Sequence, residues 1–132
     1  MKASRFPREY RVYNLNENRM MYAKELISIG FSITPDGLPS YRDQPFECIV
    51  QWKTGLKDKN NRFLYEGDIC KLGIPNEFGS IVVDYGIMSW DDIKGTFILK
   101  IPLAGGNRML EVVEVERLGS DLENPELADL VK

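Results

Sequence analysis

Three carboxylates near predicted strand ends are the residues whose types and spacing best suit chemistry. Glu66 and Asp68 lie two positions apart, and Asp84 follows a later apolar run. Hard cations such as Mg²⁺ prefer clustered carboxylate oxygens, so the three would suit a metal-dependent hydrolase or nuclease. The alternative is turn and bulge chemistry, with Asp68 accepting bonds from backbone amides at a kink. We favour this alternative, because Glu66 and Asp68 lie on the same face of a strand only if the bulge leaves the alternation between them undisturbed.

The residue types that the sequence lacks exclude several reaction classes. It contains no histidine, which removes the Ser-His-Asp and Cys-His triads and the commonest metal ligand. Its two cysteines, Cys48 and Cys70, are not in a CxxC spacing and cannot form a zinc site unaided. Each lies in an apolar run, so we expect free, mostly buried thiols. We expect no catalytic residues, no metal and no cofactor, and therefore a protein that is not an enzyme.

A dense basic cluster is the first candidate binding feature. It is broken only by Asp58 and comprises Lys53, Lys57, Lys59 and Arg62. These side chains suit phosphate groups or an acidic partner, whereas their simpler interpretation is a solvated turn. The formal net charge of −3, from 17 basic and 20 acidic residues, argues against a general electrostatic footprint for nucleic acid.

Aromatic side chains are the second candidate binding feature. Tyr85 and Trp90 flank a short segment that we interpret as a loop, where small barrels often bind peptides or nucleic acid. Trp52 alternates with Phe46 and Cys48, which favours core packing for that ring. The candidate binding residues are therefore Lys53, Lys57, Lys59, Arg62, Tyr85 and Trp90.

The elements that would position these residues are short strands. At 132 residues with ordinary globular composition, the chain has the size of one domain. Alternating patterns and turn residues predict a hairpin over 8–23 and strands at 26–33, 46–53, 62–72, 80–85, 96–101 and 108–118. A short helix is predicted with Asn124 as its N-cap and Pro125 as its first residue. Glycine at 67 predicts a bend within a strand, and Gly55 is expected to have positive φ. The pattern favours a mainly β chain, a small bent barrel with an N-terminal β extension.

Residues 50–72 carry a resemblance to a known family. Val50–Asn60 followed by Tyr65–Ile69 resembles the signature of the YopX family, found in bacteriophages and prophages. Tyr10–Met20 resembles its opening hairpin and Glu123–Leu127 its closing segment. Asn61 stands where the family usually has glycine, and Cys70 stands where it usually has valine. Asparagine tolerates positive φ, so the turn survives the first of these differences.

The resemblance implies a fold and a setting but no established activity. It implies an SH3-like β-barrel over 46–132 with a C-terminal helix, preceded by a β-rich extension over 1–45, the two forming one compact unit. It also implies a phage protein. No signal peptide or membrane-spanning run is visible, so we expect the cytoplasm of a bacterial host cell.

For function, we expect a binding module that acts on a protein partner from host or phage. Three alternatives remain open: a carboxylate- and Mg²⁺-dependent hydrolase, a weak nucleic-acid-binding barrel, and a self-associating phage structural component. Homo-oligomerisation is compatible with each of the binding alternatives, and no membrane partner is expected.

Overall fold

The computed structural model describes residues 9–101, 106–107 and 112–131. They form eleven strands, one α-helix and one 3-10 helix within these ranges. In chain order these are β1 Tyr10–Asn14, β2 Arg19–Met21, α1 Ala23–Ser28, β3 Ser32–Ile33, β4 Pro39–Ser40, β5 Cys48–Lys57, β6 Phe63–Tyr65, β7 Asp68–Pro75, β8 Ile81–Asp91, β9 Thr96–Ile101, β10 Gly106–Asn107, β11 Glu114–Ser120 and the 3-10 helix η1 Pro125–Val131. No described helix is long and apolar enough to cross a membrane.

Two antiparallel sheets build the molecule and confirm the mainly β prediction. One has the strand order β2-β1-β5-β6, the other β10-β9-β8-β7-β11, and β3 and β4 form a separate small ladder. The main apolar core draws side chains from both sheets, such as Trp52 and Leu64 from the first and Leu72, Met88 and Leu99 from the second. A second core lies beneath α1.

The N-terminal hairpin forms as predicted. β1 pairs with β2 from Val12↔Met21 to Asn14↔Arg19. The Asn14 side chain accepts hydrogen bonds from the backbone N–H groups of Asn16 and Glu17 at 2.9 and 3.0 Å, which fixes the turn. β1 also pairs with β5 along its whole length, so the segments on either side of residue 45 share a sheet.

The predicted strand over 26–33 is wrong. Residues Ala23–Ser28 form a helix that buries Leu26, and only Ser32–Ile33 are extended. The apolar alternation around Ile27 suggested a strand, but Gly30 has φ of +72° and its N–H bonds to the Ile27 carbonyl. A glycine in this conformation just past a helix ends it, and that signal outweighs the alternation.

The central turn and the bend both follow the predicted glycine positions. Gly55 has φ of +85°, which confirms the prediction, and the pairing of β5 with β6 shifts register between Lys53 and Lys57. Asn61 adopts φ of +64°, as its tolerance for this region allows. Gly67, at φ of +89°, separates β6 from β7.

The last two predicted elements differ from the structure. β11 begins at Glu114 and runs to Ser120, and residues 108–111 of the predicted 108–118 strand lie outside the described ranges. The C-terminal helix starts at Pro125 as predicted, but it is a 3-10 helix rather than an α-helix. The Asn124 side chain accepts a bond from the Ser120 N–H at 3.2 Å, so this side chain turns back over the strand end.

Candidate functional site

The carboxylates proposed for a magnesium site are not brought together. Glu66 accepts a bond from the Trp52 N–H at 3.4 Å, and Asp84 accepts one from the Tyr85 N–H at 2.8 Å. The described residues contain no group of three or more Asp, Glu, Cys or His side chains arranged to hold a metal ion. The turn and bulge interpretation is therefore the one that fits the geometry.

Asp68 is instead a buried structural carboxylate. Its Oδ1 lies 2.8 Å from Nη2 of Arg11 and 3.0 Å from Nε of Arg117, while Oδ2 accepts the Tyr65 N–H at 2.7 Å. The side chains of Asp68 and Arg11 are fully buried. An aspartate that bonds two guanidinium groups has little capacity left for a metal ion. It joins β7 to β1 and to β11.

Asp58, which lies within the basic cluster, is also a structural carboxylate. Its carboxylate accepts bonds from the backbone N–H groups of Asn60 and Arg62 at 3.0 and 2.9 Å and from that of Arg117 at 2.9 Å. Burial opposes ionisation of this group, but these bonds and the Arg62 guanidinium outweigh it and lower the pKa of Asp58 to about 2. Asp58 thereby docks the β5–β6 turn on β11.

We call Arg11, Asp58, Asp68 and Arg117 the ionic seam. Arg11 lies on the face of β1 opposite the core residue Val12, and its guanidinium also donates to the Gln51 side chain at 2.9 Å. Among the described buried side chains, Nη1 of Arg11 has no hydrogen-bond partner, and the guanidinium lies 4.8 Å from the Tyr65 ring centroid. The ring compensates part of the lost hydration through a cation–π contact.

Most of the basic cluster is paired with carboxylates of the same chain. Lys53 Nζ lies 2.7 Å from Glu9, and Lys59 Nζ lies 2.8 Å from Glu114 and 3.6 Å from Glu116. The hydrogen bond that Lys59 donates to Glu114 raises the pKa of Lys59.

Of the remaining two members of the cluster, Arg62 has a carboxylate partner and Lys57 does not. Arg62 Nη2 lies 2.8 Å from Asp58. Lys57 has no carboxylate partner among the described residues, and its Nζ lies 4.6 Å from the Phe63 ring centroid, on which Lys53 also packs at 3.7 Å. The positive charge available to an external partner is therefore much smaller than the sequence count.

The prediction that Tyr85 and Trp90 flank a loop is wrong. Both belong to β8, which runs unbroken through this segment, and they lie on opposite faces of it. Trp90 packs edge-on against Phe97 at 4.9 Å between centroids and donates from Nε1 to Asp92 at 2.6 Å. Tyr85 pairs with the exposed Lys71 on the outer face. One surface cannot use both rings.

The outer face of β8 carries an apolar row that sequence reasoning missed. Ile81 and Val83 lie four and two positions before Tyr85 on the same face, with exposures of 54% and 56%. Phe78, in the turn between β7 and β8, is 84% exposed. We call Phe78, Ile81, Val83 and Tyr85 the hairpin surface. Its sequence signal is an apolar run with no polar alternation, which reads equally well as a buried strand.

A shallow dent lies beside this row. It has a volume of about 150 Å³, and Gly73 forms its floor opposite Val83. Its remaining walls combine apolar and charged side chains, namely Lys59, Lys71, Leu72, Ile81, Glu114 and Glu116. Added at Gly73, a Cβ would lie 3.2 Å from the Glu114 Cβ and from the Ile81 Cγ2, so the missing side chain is what opens the dent.

The family is decided by a match across nearly the whole described chain. The model of the family described as YopX protein matches residues 9–129. The chain belongs to the YopX protein family. The match includes every residue of the ionic seam and of the hairpin surface, and it confirms the resemblance read from residues 50–72.

A solved structure shares the fold of this YopX family member. The crystal structure of protein EF1440 from Enterococcus faecalis is similar at a TM-score of 0.51 and 20% sequence identity. The match covers 90% of this chain and 96% of that one. At this identity the likeness concerns the fold alone. None of the curated proteins matches the chain.

Both cysteines are free thiols. Cys70 is fully buried in the main core, and burial raises its pKa to about 12. Cys48 is half-buried, and its Sγ lies 3.4 Å from the Tyr41 hydroxyl. The Cys70 thiol therefore lacks the depressed pKa that marks a nucleophile, which fits its place in the core.

Proposed function

We propose that this protein is a non-enzymatic binding module that contacts a protein partner through the hairpin surface. The observation that carries the proposal is the exposure of Phe78, Ile81 and Val83 at 84%, 54% and 56%. Contiguous apolar side chains on a sheet face are unfavourable in water unless a partner covers them. Tyr85, a candidate from the sequence, continues the same row.

The composition around this row supports a protein rather than a polyanion as partner. Two lysines, Lys59 and Lys71, and two glutamates, Glu114 and Glu116, border the apolar residues in the dent. An apolar centre with a charged rim of both signs is the usual anatomy of a protein interface. Phosphate binding would instead favour a rim of one sign.

Nucleic-acid binding is the weaker candidate. It would run through Lys57 and Lys53, which pack on the partly exposed Phe63 ring. The ion pairs of Lys53, Lys59 and Arg62 would have to be exchanged for phosphate contacts, which reduces the gain from each contact. The metal-dependent hydrolase has no comparable support, because Asp68 is fully engaged with Arg11 and Arg117.

The setting that we infer follows the family resemblance. We infer a phage or prophage protein that acts in the cytoplasm of a bacterial host, with the segment 46–132 as an SH3-like barrel. The turn at Gly67, through which the chain passes from the sheet of β6 to the sheet of β7, and the pairing of β7 with both β8 and β11 are the features that support a barrel.

Affinity capture from phage-infected host cells tests the proposal. The bait proteins are the unchanged chain, the double variant Ile81→Glu/Val83→Glu, and the control Ile93→Glu/Ile27→Glu. Ile93 is 90% exposed in the other hairpin turn of β8, and Ile27 is 75% exposed in α1, so the control makes the same change of two charges away from the hairpin surface. We expect a protein captured by the unchanged chain and the control but lost with the double variant.

Two results would overturn the proposal. One is capture of the same protein by all three baits. The other is capture that disappears on nuclease treatment, which would transfer the function to nucleic-acid binding through Lys53 and Lys57.

A further inference from the structure

Phe78 is held out by an ordered turn. The Asn76 side-chain oxygen accepts bonds from the N–H groups of Phe78 and Ser80, both at 3.0 Å. The backbone of Asn76 also pairs with Ser80 and Gly79, at 2.8 and 3.1 Å. A rigid aromatic side chain loses little conformational entropy on binding, so this turn presents Phe78 as a preorganised anchor.

The dent at Gly73 is a receptor of matching size on the same hairpin. A protein cavity of about 150 Å³ holds a benzene-sized group, and the dent has a volume of about 150 Å³. One wall is apolar, from Ile81 and Val83, which suits an aromatic ring. The anchor and the receptor therefore lie on one hairpin, a few residues apart along β7 and β8.

The charge balance around the dent favours the same surface of a second copy of the chain as the partner that fills it. Two lysines and two glutamates surround the dent, so the rim sums to zero although the chain as a whole carries −3. Two copies can meet at this surface without the repulsion that other faces of an acidic protein would impose. A surface with both signs of charge can also be complementary to itself when rotated by a two-fold axis.

We propose that the protein forms a two-fold homodimer through the hairpin surface, in which Phe78 of each copy fills the Gly73 dent of the other. This inference rests on the proposed function and names the partner as a second copy of the chain. The two-fold axis then passes between the turn and the dent, so that anchor and receptor exchange reciprocally, as an isologous interface requires.

Sedimentation velocity over about 1 µM to about 1 mM tests the dimer, since this range brackets micromolar self-association. The variants are Phe78→Ser, which removes the anchor, Gly73→Ala, which begins to fill the dent, and the matched control Ile93→Ser. We expect the unchanged chain and the control to dimerise alike. Phe78→Ser and Gly73→Ala should each raise the dissociation constant at least about tenfold.

Thermal unfolding separates a lost interface from a lost fold. Phe78→Ser, at a turn position that is 84% exposed, should keep the unfolding midpoint of the monomer at low concentration. A chain that is monomeric throughout, or a dimer unaffected by Phe78→Ser, overturns the inference. If the chain is monomeric while Ile81→Glu/Val83→Glu still abolishes capture of another protein, the dimer fails and the proposed function stands. If the dimer forms but no other protein is captured, the binding module has only itself as partner.

Discussion

The ionic seam and the hairpin surface invert the usual distribution of residue types. The seam buries Arg11 and Asp68 completely, whereas the hairpin surface leaves Phe78 and Val83 largely in water. Buried charges and exposed apolar rows are the two informative exceptions to the rule of apolar interiors. The first exception is explained within the chain, because each buried charge has charged or polar partners there. The second finds no such explanation within the described residues.

This contrast assigns different tasks to the two regions. The seam joins β1, β7, β11 and the β5–β6 turn, so its contribution is to the relative placement of the two sheets. The hairpin surface contributes little to the stability of the fold. It provides much of the exposed apolar area that a partner could cover. Changes in the seam should therefore affect stability first, and changes in the surface should affect association first.

The largest effect on stability is expected from Asp68→Asn. The change leaves the buried guanidinium of Arg11, and that of Arg117, without their carboxylate, and removal of one partner from a buried pair typically costs about 3–5 kcal/mol. Urea unfolding measures the loss. The control is Asp43→Asn, since Asp43 lies in an exposed pair 3.7 Å from Arg42 and should change the free energy of unfolding by less than about 0.5 kcal/mol. If both variants lose a similarly small free energy of unfolding, the ionic seam does not contribute to stability as argued.

A pair of glycine substitutions sharpens the same contrast. Gly67 and Gly79 have φ of +89° and +83°, so alanine is strained to a similar degree at each. A Cβ at Gly67 would collide with the Gln51 amide and lie 2.6 Å from Asp121 Oδ1, whereas nothing lies within 4 Å at Gly79. We expect Gly79→Ala to cost about 1 kcal/mol and Gly67→Ala about 3 kcal/mol in urea unfolding. The Gln51 amide donates a hydrogen bond to Asp121 Oδ1 at 2.9 Å, which this Cβ would disrupt. Equal losses would mean that backbone strain alone matters and that this hydrogen bond is dispensable.

The smallest effect is a pH dependence that originates at Asp58. Its pKa is about 2 in the folded chain and about 3.8 as a reference value. The folded state therefore binds fewer protons, and the resulting stability is fully present above the reference value and lost as the pH falls toward 2. Measured from about pH 5 to about pH 2, the difference in unfolding free energy between the unchanged chain and Asp58→Asn should narrow. A difference that stays constant across this range contradicts the assignment.

The local pattern predicted much of the fold correctly. The N-terminal hairpin, the β5 and β9 strands, the bend at Gly67 and the positive φ of Gly55 all follow from alternation and from glycine positions, which act over a few residues. The failures arose where two local signals competed. Gly30 ended a helix where alternation around Ile27 indicated a strand, and β8 continued through Tyr85 and Trp90 where a loop was expected.

The candidate site was less predictable than the fold, because a charge count does not reveal the partner of each charge. Lys59 appeared in the sequence beside other lysines, yet it pairs with Glu114, which is 55 positions away. The sequence did not indicate that Arg11 and Arg117 both bind the same oxygen of Asp68. Pairings of this kind depend on which strands become neighbours, and no local spacing encodes them.

The sequence by itself determined that the chain is mainly β, that it lacks histidine chemistry and that it resembles the YopX family. Each of these depends on residue types or on spacings within a single element or turn. Only the tertiary structure decided that Asp58 and Asp68 are structural, that the basic cluster is largely neutralised and that the outer face of β8 is apolar. Those properties depend on contacts between β5–β8 and the distant β11, and packing of the whole chain is what sets such contacts.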